Sequence, residues 1–173
     1  MKKIAIFGSA FNPPSLGHKS VIERLTHFDE VLLVPSIAHA WGKTMLDYQQ
    51  RCQLVDAFIS DLGLSNVIRS DVEETLYKPG ESVTTYSVLK KLQELNPESM
   101  LTFVLGPDNL FNFSKFYKSE AILEKWAVMA CPETVKVRST DIRNALNQDQ
   151  PIDKFSTPNV IKVLQNTSWY SKM

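Results

Sequence analysis

Apolar positions along the chain switch between two periods. The runs Lys3 to Phe7, Glu30 to Val34, Val67 to Ser70, Leu101 to Leu105 and Trp126 to Ala130 are short and near-continuous, which predicts buried strands. Between them, Val21, Ile22, Leu25 and Phe28 recur at helical spacing, as do Cys52, Val55, Phe58 and Ile59; Leu89, Leu92 and Leu95 mark a third helix. Asn96-Pro97 ends that helix, because the residue before a proline is biased out of the helical region. A fourth helix is expected over Ser119 to Lys125 and a fifth from close to Ser139, with Glu74 to Ser82, containing Pro79-Gly80, as a long loop. Strands alternating with helices predict parallel βαβ units, right-handed crossovers and an α/β sheet with its ligand crevice at the carboxyl ends of the strands. Gly8, Pro35 and Gly106 each fall just past a strand and mark that edge.

Composition narrows the classes. A chain of 173 residues with 43% hydrophobic and 22% charged residues is expected to form one domain over residues 1–173. Its formal net charge of zero argues against nucleic-acid or membrane binding by bulk electrostatics and leaves a local basic pocket open. The apolar run after Lys2 and Lys3 stops at Gly8, so neither a signal peptide nor a membrane span is expected. Cys52 and Cys131 lie far apart without a Cys-x-x-Cys spacing, consistent with a reduced, cytoplasmic protein. No His/Cys cluster has zinc spacing, and neither Gly-x-Ser-x-Gly nor Gly-x-Gly-x-x-Gly occurs. Gly42-Lys43-Thr44 looks like the end of a P-loop, but Ile37 stands where its first glycine is required.

The richest segment is Gly8-Ser9-Ala10-Phe11-Asn12-Pro13-Pro14-Ser15-Leu16-Gly17-His18, directly after the first apolar run. It reads as a strand that breaks on glycine and enters a helix within one short turn, the arrangement that aims backbone N–H groups at a phosphate. Gly8 lets backbone approach a ligand, Phe11 can anchor the turn in the core, and Pro13 and Pro14 stiffen it. Gly17 is expected to leave room for a nucleotide, and His18 to sit beside a phosphoryl oxygen. Further along, Ser139 or Thr140 is expected to cap a helix with Arg143 one turn in, a second anion site. Gly106-Pro107-Asp108-Asn109 forms a turn after a strand, in which Gly106 admits close approach of a ligand.

These segments resemble the nicotinate/nicotinamide mononucleotide adenylyltransferases of the HxGH-type nucleotidyltransferase superfamily. The resemblance rests on Gly-x-x-Phe-(Asp/Asn)-Pro followed by (His/Thr)-x-Gly-His, on Gly-x-Asp-Asn, and on the Ser-Ser-Thr-x-Ile-Arg motif met by Arg138 to Arg143. It departs at Ser15, which stands for His or Thr, at Ala10 for Ser or Thr, at Ser87 for Asp, and at Arg138 for the first serine. The resemblance implies a Rossmann-like, doubly wound parallel sheet in a three-layer α/β/α nucleotidyltransferase fold. It implies adenylyl transfer from ATP to nicotinate or nicotinamide mononucleotide in NAD biosynthesis, with His18, Lys43 and Arg143 as catalytic charges. Gly8, Ser9, Phe11, Ser15, Gly17, Gly106, Asp108, Ser139 and Thr140 would then join His18 and Arg143 around ATP, while Asn12, Lys43, Thr85, Tyr86 and Phe116 meet the mononucleotide. Mg²⁺ would be held mainly by ATP phosphates and water, with no dedicated protein ligand set and Asp108 at most a water-mediated contact. His39 and Trp41 are candidates for the pocket border and Arg51 for a structural role. Another phosphorylated acceptor, such as phosphopantetheine, and a nucleotide-binding module without catalysis are the alternatives; a homo-oligomer is left open.

Overall fold

Residues 1–38 and 44–171 are described by a computed structural model of the chain. Five strands, β1 (Lys3–Ser9), β2 (Glu30–Pro35), β3 (Val67–Arg69), β4 (Met100–Leu105) and β5 (Ala127–Ala130), form one sheet in the order β3-β2-β1-β4-β5. Every neighbouring pair is parallel; Phe7 of β1 lies opposite Leu33 on one side and Val104 on the other. Helices α1 (Leu16–Ile22), α2 (Tyr48–Leu62), α3 (Val72–Leu76), α4 (Thr85–Leu95), α5 (Pro107–Phe111), α6 (Ser119–Lys125), α7 (Ser139–Asn147) and α8 (Pro158–Gln165), with 3-10 turns over Glu23–Leu25 and Phe113–Lys115, complete the described elements.

Strand residues alternate between two cores, as a pleat of period two requires when both faces are covered. Ala5, Phe7, Val31, Leu33 and Val104 join Val21 of α1, Leu54 of α2, Ile142 of α7 and Val160 of α8. Ile4, Ile6, Leu32, Val34 and Phe103 join Val72 of α3, Leu89 of α4 and Ile122 of α6. The result is the doubly wound, three-layer α/β/α arrangement with α1, α2, α7 and α8 on one face and α3, α4 and α6 on the other. The chain builds outward from β1 through β2 to β3 and then returns to lay β4 on the other side of β1. The strand order therefore reverses between β1 and β4, which opens a crevice beyond their carboxyl ends.

The departures from the periodicity are local and have physical causes. The apolar series Val21 to Phe28 does not run as one helix: α1 stops at Ile22 and a 3-10 turn, Glu23–Leu25, completes it. Trp126 lies outside β5, because its indole N–H donates to Gln93 Oε1 at 3.0 Å in the helical layer. The expected loop from Glu74 begins instead within α3, where buried Val72 docks one turn of helix on the sheet. Helix α8 was not expected, although Pro158 at its first turn and the spacing of Val160, Ile161 and Leu164 encode an amphipathic start and face.

Candidate functional site

A cleft of about 900 Å³ lies at the switch point, bounded by the ends of β1 and β4. Gly8, Ser9 and Gly106 contribute strand ends; Ser15, His18, Arg138 and Ser139 come from the α1/α7 side, and Glu73, Thr85 and Phe116 from the α3/α4 side. At Gly8 a side chain would meet only the Val34 carbonyl, 3.8 Å from the Cβ position, so bare backbone faces the cleft. Gly17 serves a different end from the one expected: a Cβ there would collide with the Val137 carbonyl and crowd the Glu133 carboxylate. The glycine lets the segment before α7 pack on α1 and leaves no room for a nucleotide.

His18 is the third residue of α1, and Ser15 is the N-cap. The Ser15 backbone N–H donates to His18 Nδ1 at 3.0 Å. A backbone N–H can only donate, so Nδ1 is the bare nitrogen and the proton sits on Nε2. Nε2 lies 3.0 Å from Ser9 Oγ at the end of β1, to which its proton points. Burial holds the imidazole pKa down at about 4, so the ring is neutral at physiological pH and offers one fixed N–H to the cleft. The Phe11 ring packs beside it, 4.7 Å between centroids, and is itself 0% exposed. Phe11 has φ 47, a left-handed conformation costly for a side chain with a Cβ; burial of the ring holds it there. Phe11 thus anchors the turn, as expected, from beneath the cleft.

The start of α7 is arranged differently from the expected serine or threonine cap. Arg138 occupies the N-cap position, with its backbone N–H on the Asp141 carboxylate at 2.9 Å. Ser139 Oγ donates to the Pro13 carbonyl at 2.6 Å. Arg143 donates through Nη1 to the Asn12 carbonyl at 2.7 Å and through Nη2 to Thr140 Oγ1 at 3.1 Å. Arg138 and Ser139 line the cleft, whereas Thr140 and Arg143 brace the turn behind it. Sequence reasoning treated Arg138 only as a departure; it also passed over Lys136 and Glu133, which line the same end.

Gly106 caps α5, with Pro107 at its first position, and Asp108 and Asn109 line the cleft. Thr85 opens α4 and lines it too, but Tyr86 turns away, because neighbouring helical residues point about 100° apart. The Tyr86 hydroxyl accepts from Lys125 Nζ at 3.1 Å and its ring meets Trp126 edge-on. Ser87, in the place of an acid, pairs with Thr84 to cap α4. Phe116 lines the cleft and packs on Phe113, 4.9 Å between centroids. Asn12 is buried, and its Oδ1 accepts from the Leu46 N–H and the Tyr170 hydroxyl, which keeps it from the cleft. Lys43, His39 and Trp41 lie outside the described residues.

Two further groups organise the site. Arg51, 1% exposed, donates to the carbonyls of Leu46, Ala10, Ser36 and Ile37 and so ties the loops after β1 and β2 to α2. Its structural role is the one expected. Glu73, missed in the sequence, accepts from the Ile37 N–H at 3.2 Å and lines the cleft. Burial pushes its carboxyl up to about 7 against the opposing pull of that N–H and of Arg51. Among the described residues no three His, Cys, Asp or Glu side chains converge as metal ligands, and no helix is long and apolar enough to cross a membrane.

The cytidylyltransferase-like family model matches residues 6–161. A candidate nicotinate-nucleotide adenylyltransferase of known structure from Vibrio parahaemolyticus is 61% identical and superposes with a TM-score of 0.90, covering 100% of this chain and 98% of that one. A curated Flavobacterium johnsoniae protein, also a candidate nicotinate-nucleotide adenylyltransferase, is 25% identical over 98% of this chain and 100% of its own length. The nicotinic acid mononucleotide adenylyltransferase of Plasmodium falciparum, solved in complex with NaAD, shares 20% identity and the fold, with a TM-score of 0.79 over 98% of both chains.

Proposed function

The chain belongs to the cytidylyltransferase-like family, and on that premise we propose that it joins nicotinate mononucleotide to ATP, giving the dinucleotide and pyrophosphate in NAD biosynthesis. The observation that carries the reading is the neutral His18, fixed with its Nε2–H at the β1/β4 switch point. Likeness along the full chain to the Vibrio protein supports the choice of acceptor.

A 5′-phosphate oxygen of the mononucleotide attacks the α-phosphorus of ATP in line, a P–O bond forms, and the bond to the pyrophosphate oxygen breaks. The nucleophile is already an anion, so the protein needs no strong base; it positions the phosphates and stabilises charge. His18 Nε2–H moves its hydrogen bond from Ser9 Oγ to a non-bridging oxygen of the α-phosphate. Backbone at Gly8 and Gly106 gives the nucleotide close approach, and Arg138 and Ser139, which line the cleft, face the pyrophosphate. Lys43 is assigned to the transferring phosphates from the sequence, and Arg143 supports them through the Asn12 carbonyl. Thr85 and Phe116 border the pyridine, whose flat ring suits an aromatic neighbour.

Mg²⁺ arriving with ATP would be held chiefly by the phosphates and water, and would offset phosphate charge there. The isolated cleft carboxylates Asp108 and Glu133 fit a hard cation that arrives with its phosphates and keeps its waters. Residues 1–173 are read as one nucleotidyltransferase-like domain, and the buried free thiols Cys52 and Cys131 support a cytoplasmic setting.

The test is pyrophosphate release from ATP with a panel of nicotinate mononucleotide, nicotinamide mononucleotide and phosphopantetheine. Release with nicotinate mononucleotide is expected; release with phosphopantetheine alone, or with no acceptor while ATP still binds, overturns the reading.

A further inference from the structure

Pro13 and Pro14 have no N–H, so the turn that carries the phosphate corner cannot build a local hydrogen-bond ladder and its groups need partners from elsewhere. The chain from Val137 onward supplies most of them. Asn12 O accepts from Arg143 at 2.7 Å, Pro13 O from Ser139 at 2.6 Å and Pro14 O from Ser156 at 2.8 Å. Ser15 Oγ donates to Val137 O at 3.1 Å and Leu16 N–H to Phe155 O at 2.9 Å. The outermost of these contacts comes from the far end of the chain: Tyr170, 2% exposed, donates its hydroxyl to Asn12 Oδ1 at 2.8 Å.

We infer that Tyr170 is a positioning residue for adenylyl transfer, acting through Asn12 to hold the turn that sets the orientation of His18. Asn12 follows the left-handed Phe11 directly, at the point where the turn is most strained. The turn ends at Ser15, whose N–H selects the His18 tautomer. Oδ1 of Asn12 also accepts from the Leu46 N–H at 3.2 Å, so the Tyr170 hydroxyl completes the coordination of one buried oxygen between the two ends of the sequence. Burial raises the phenol pKa, so Tyr170 keeps its proton and remains a donor throughout the working pH range. Loss of the hydroxyl leaves the ring packed but lets the Asn12 amide rotate, and the displacement travels to the Ser15 N–H.

The inference rests on the proposed reaction for its kinetic part only. Tyr170→Phe is expected to lower kcat about tenfold with KM for ATP changed by less than about twofold, because transition-state geometry is lost and ground-state binding kept. In ¹⁵N spectra of labelled protein without substrates, the His18 ring signals should move from a single Nε2–H form in wild type toward a mixture of tautomers in the variant. Leu92→Ala, which removes a buried α4 side chain from the core on the other face of the sheet, should lower the melting temperature yet leave both readouts at wild-type values. Should Tyr170→Phe fail to fold, Ser156→Ala removes another donor to the same turn and is expected to give the same two changes. Wild-type ring signals together with wild-type kcat overturn the inference, as does an equal loss of kcat in Leu92→Ala. An altered tautomer in a protein inactive on every acceptor overturns the proposed reaction and leaves the positioning contact standing.

Discussion

The two sides of the cleft are built on opposite plans. On the α1/α7 side the turn from Ala10 to Leu16 is cross-braced, with the carbonyls of residues 10, 12, 13 and 14 each receiving a side-chain donor from a distant segment. On the α3/α4 side the lining is Val83, Thr85, Val88, Phe103 and Phe116 around a partly buried carboxyl, Glu73, which accepts from the Ile37 N–H. A developing charge is stabilised only by donors already in place, whereas a flat ring needs apolar surface more than direction. On the proposed reaction, phosphate chemistry falls on the braced side and recognition of the acceptor on the apolar one.

Arg51 is the place to break that contrast most severely, because its guanidinium holds Ala10 of one side and Ser36 and Ile37 of the other. Arg51→Met leaves four carbonyls without their donor, and urea titration should show a loss of about 3–5 kcal/mol. A loss below about 1 kcal/mol would mean that the loops hold themselves and that the bracing is not shared.

The pH dependence of stability separates the sides with opposite signs. His18 has a folded pKa of about 4 against an ordinary 6.5, so its favourable contribution is complete above 6.5 and is lost as pH falls through 4. Glu73 has a folded pKa of about 7 against 4.5, so its contribution is complete below 4.5 and is lost as pH rises through 7. His18→Gln should flatten the acid limb and Glu73→Gln the limb between 4.5 and 7, each by about 1–3 kcal/mol across its window in denaturation series. Equal slopes in all three proteins would remove the electrostatic difference between the sides.

Much of this was legible in the sequence, for a reason tied to distance along the chain. The five strands and the Gly8 to His18 corner depend on local apolar runs and on glycine, proline and a cap, all of which act within a few residues. The roles of Gly17, Asn12 and Arg143 depend on contacts more than a hundred residues apart, and nothing in their spacing reports whether a polar group faces a ligand or a carbonyl. Glu73 carried no motif at all; only the fold brings it to the cleft. Helix α8 had its signal in Val160, Ile161 and Leu164, a pattern short enough to pass as a tail.

The central claim is that a neutral His18, oriented by Ser15, stabilises the transition state of adenylyl transfer. Its most direct test is kcat for pyrophosphate release from ATP and nicotinate mononucleotide by His18→Ala, with ATP affinity measured by calorimetry on the same preparation. The account predicts a fall of about 10²–10³-fold in kcat, with ATP affinity within about threefold of wild type and the protein fully folded. A variant that turns over within about threefold of wild type contradicts it.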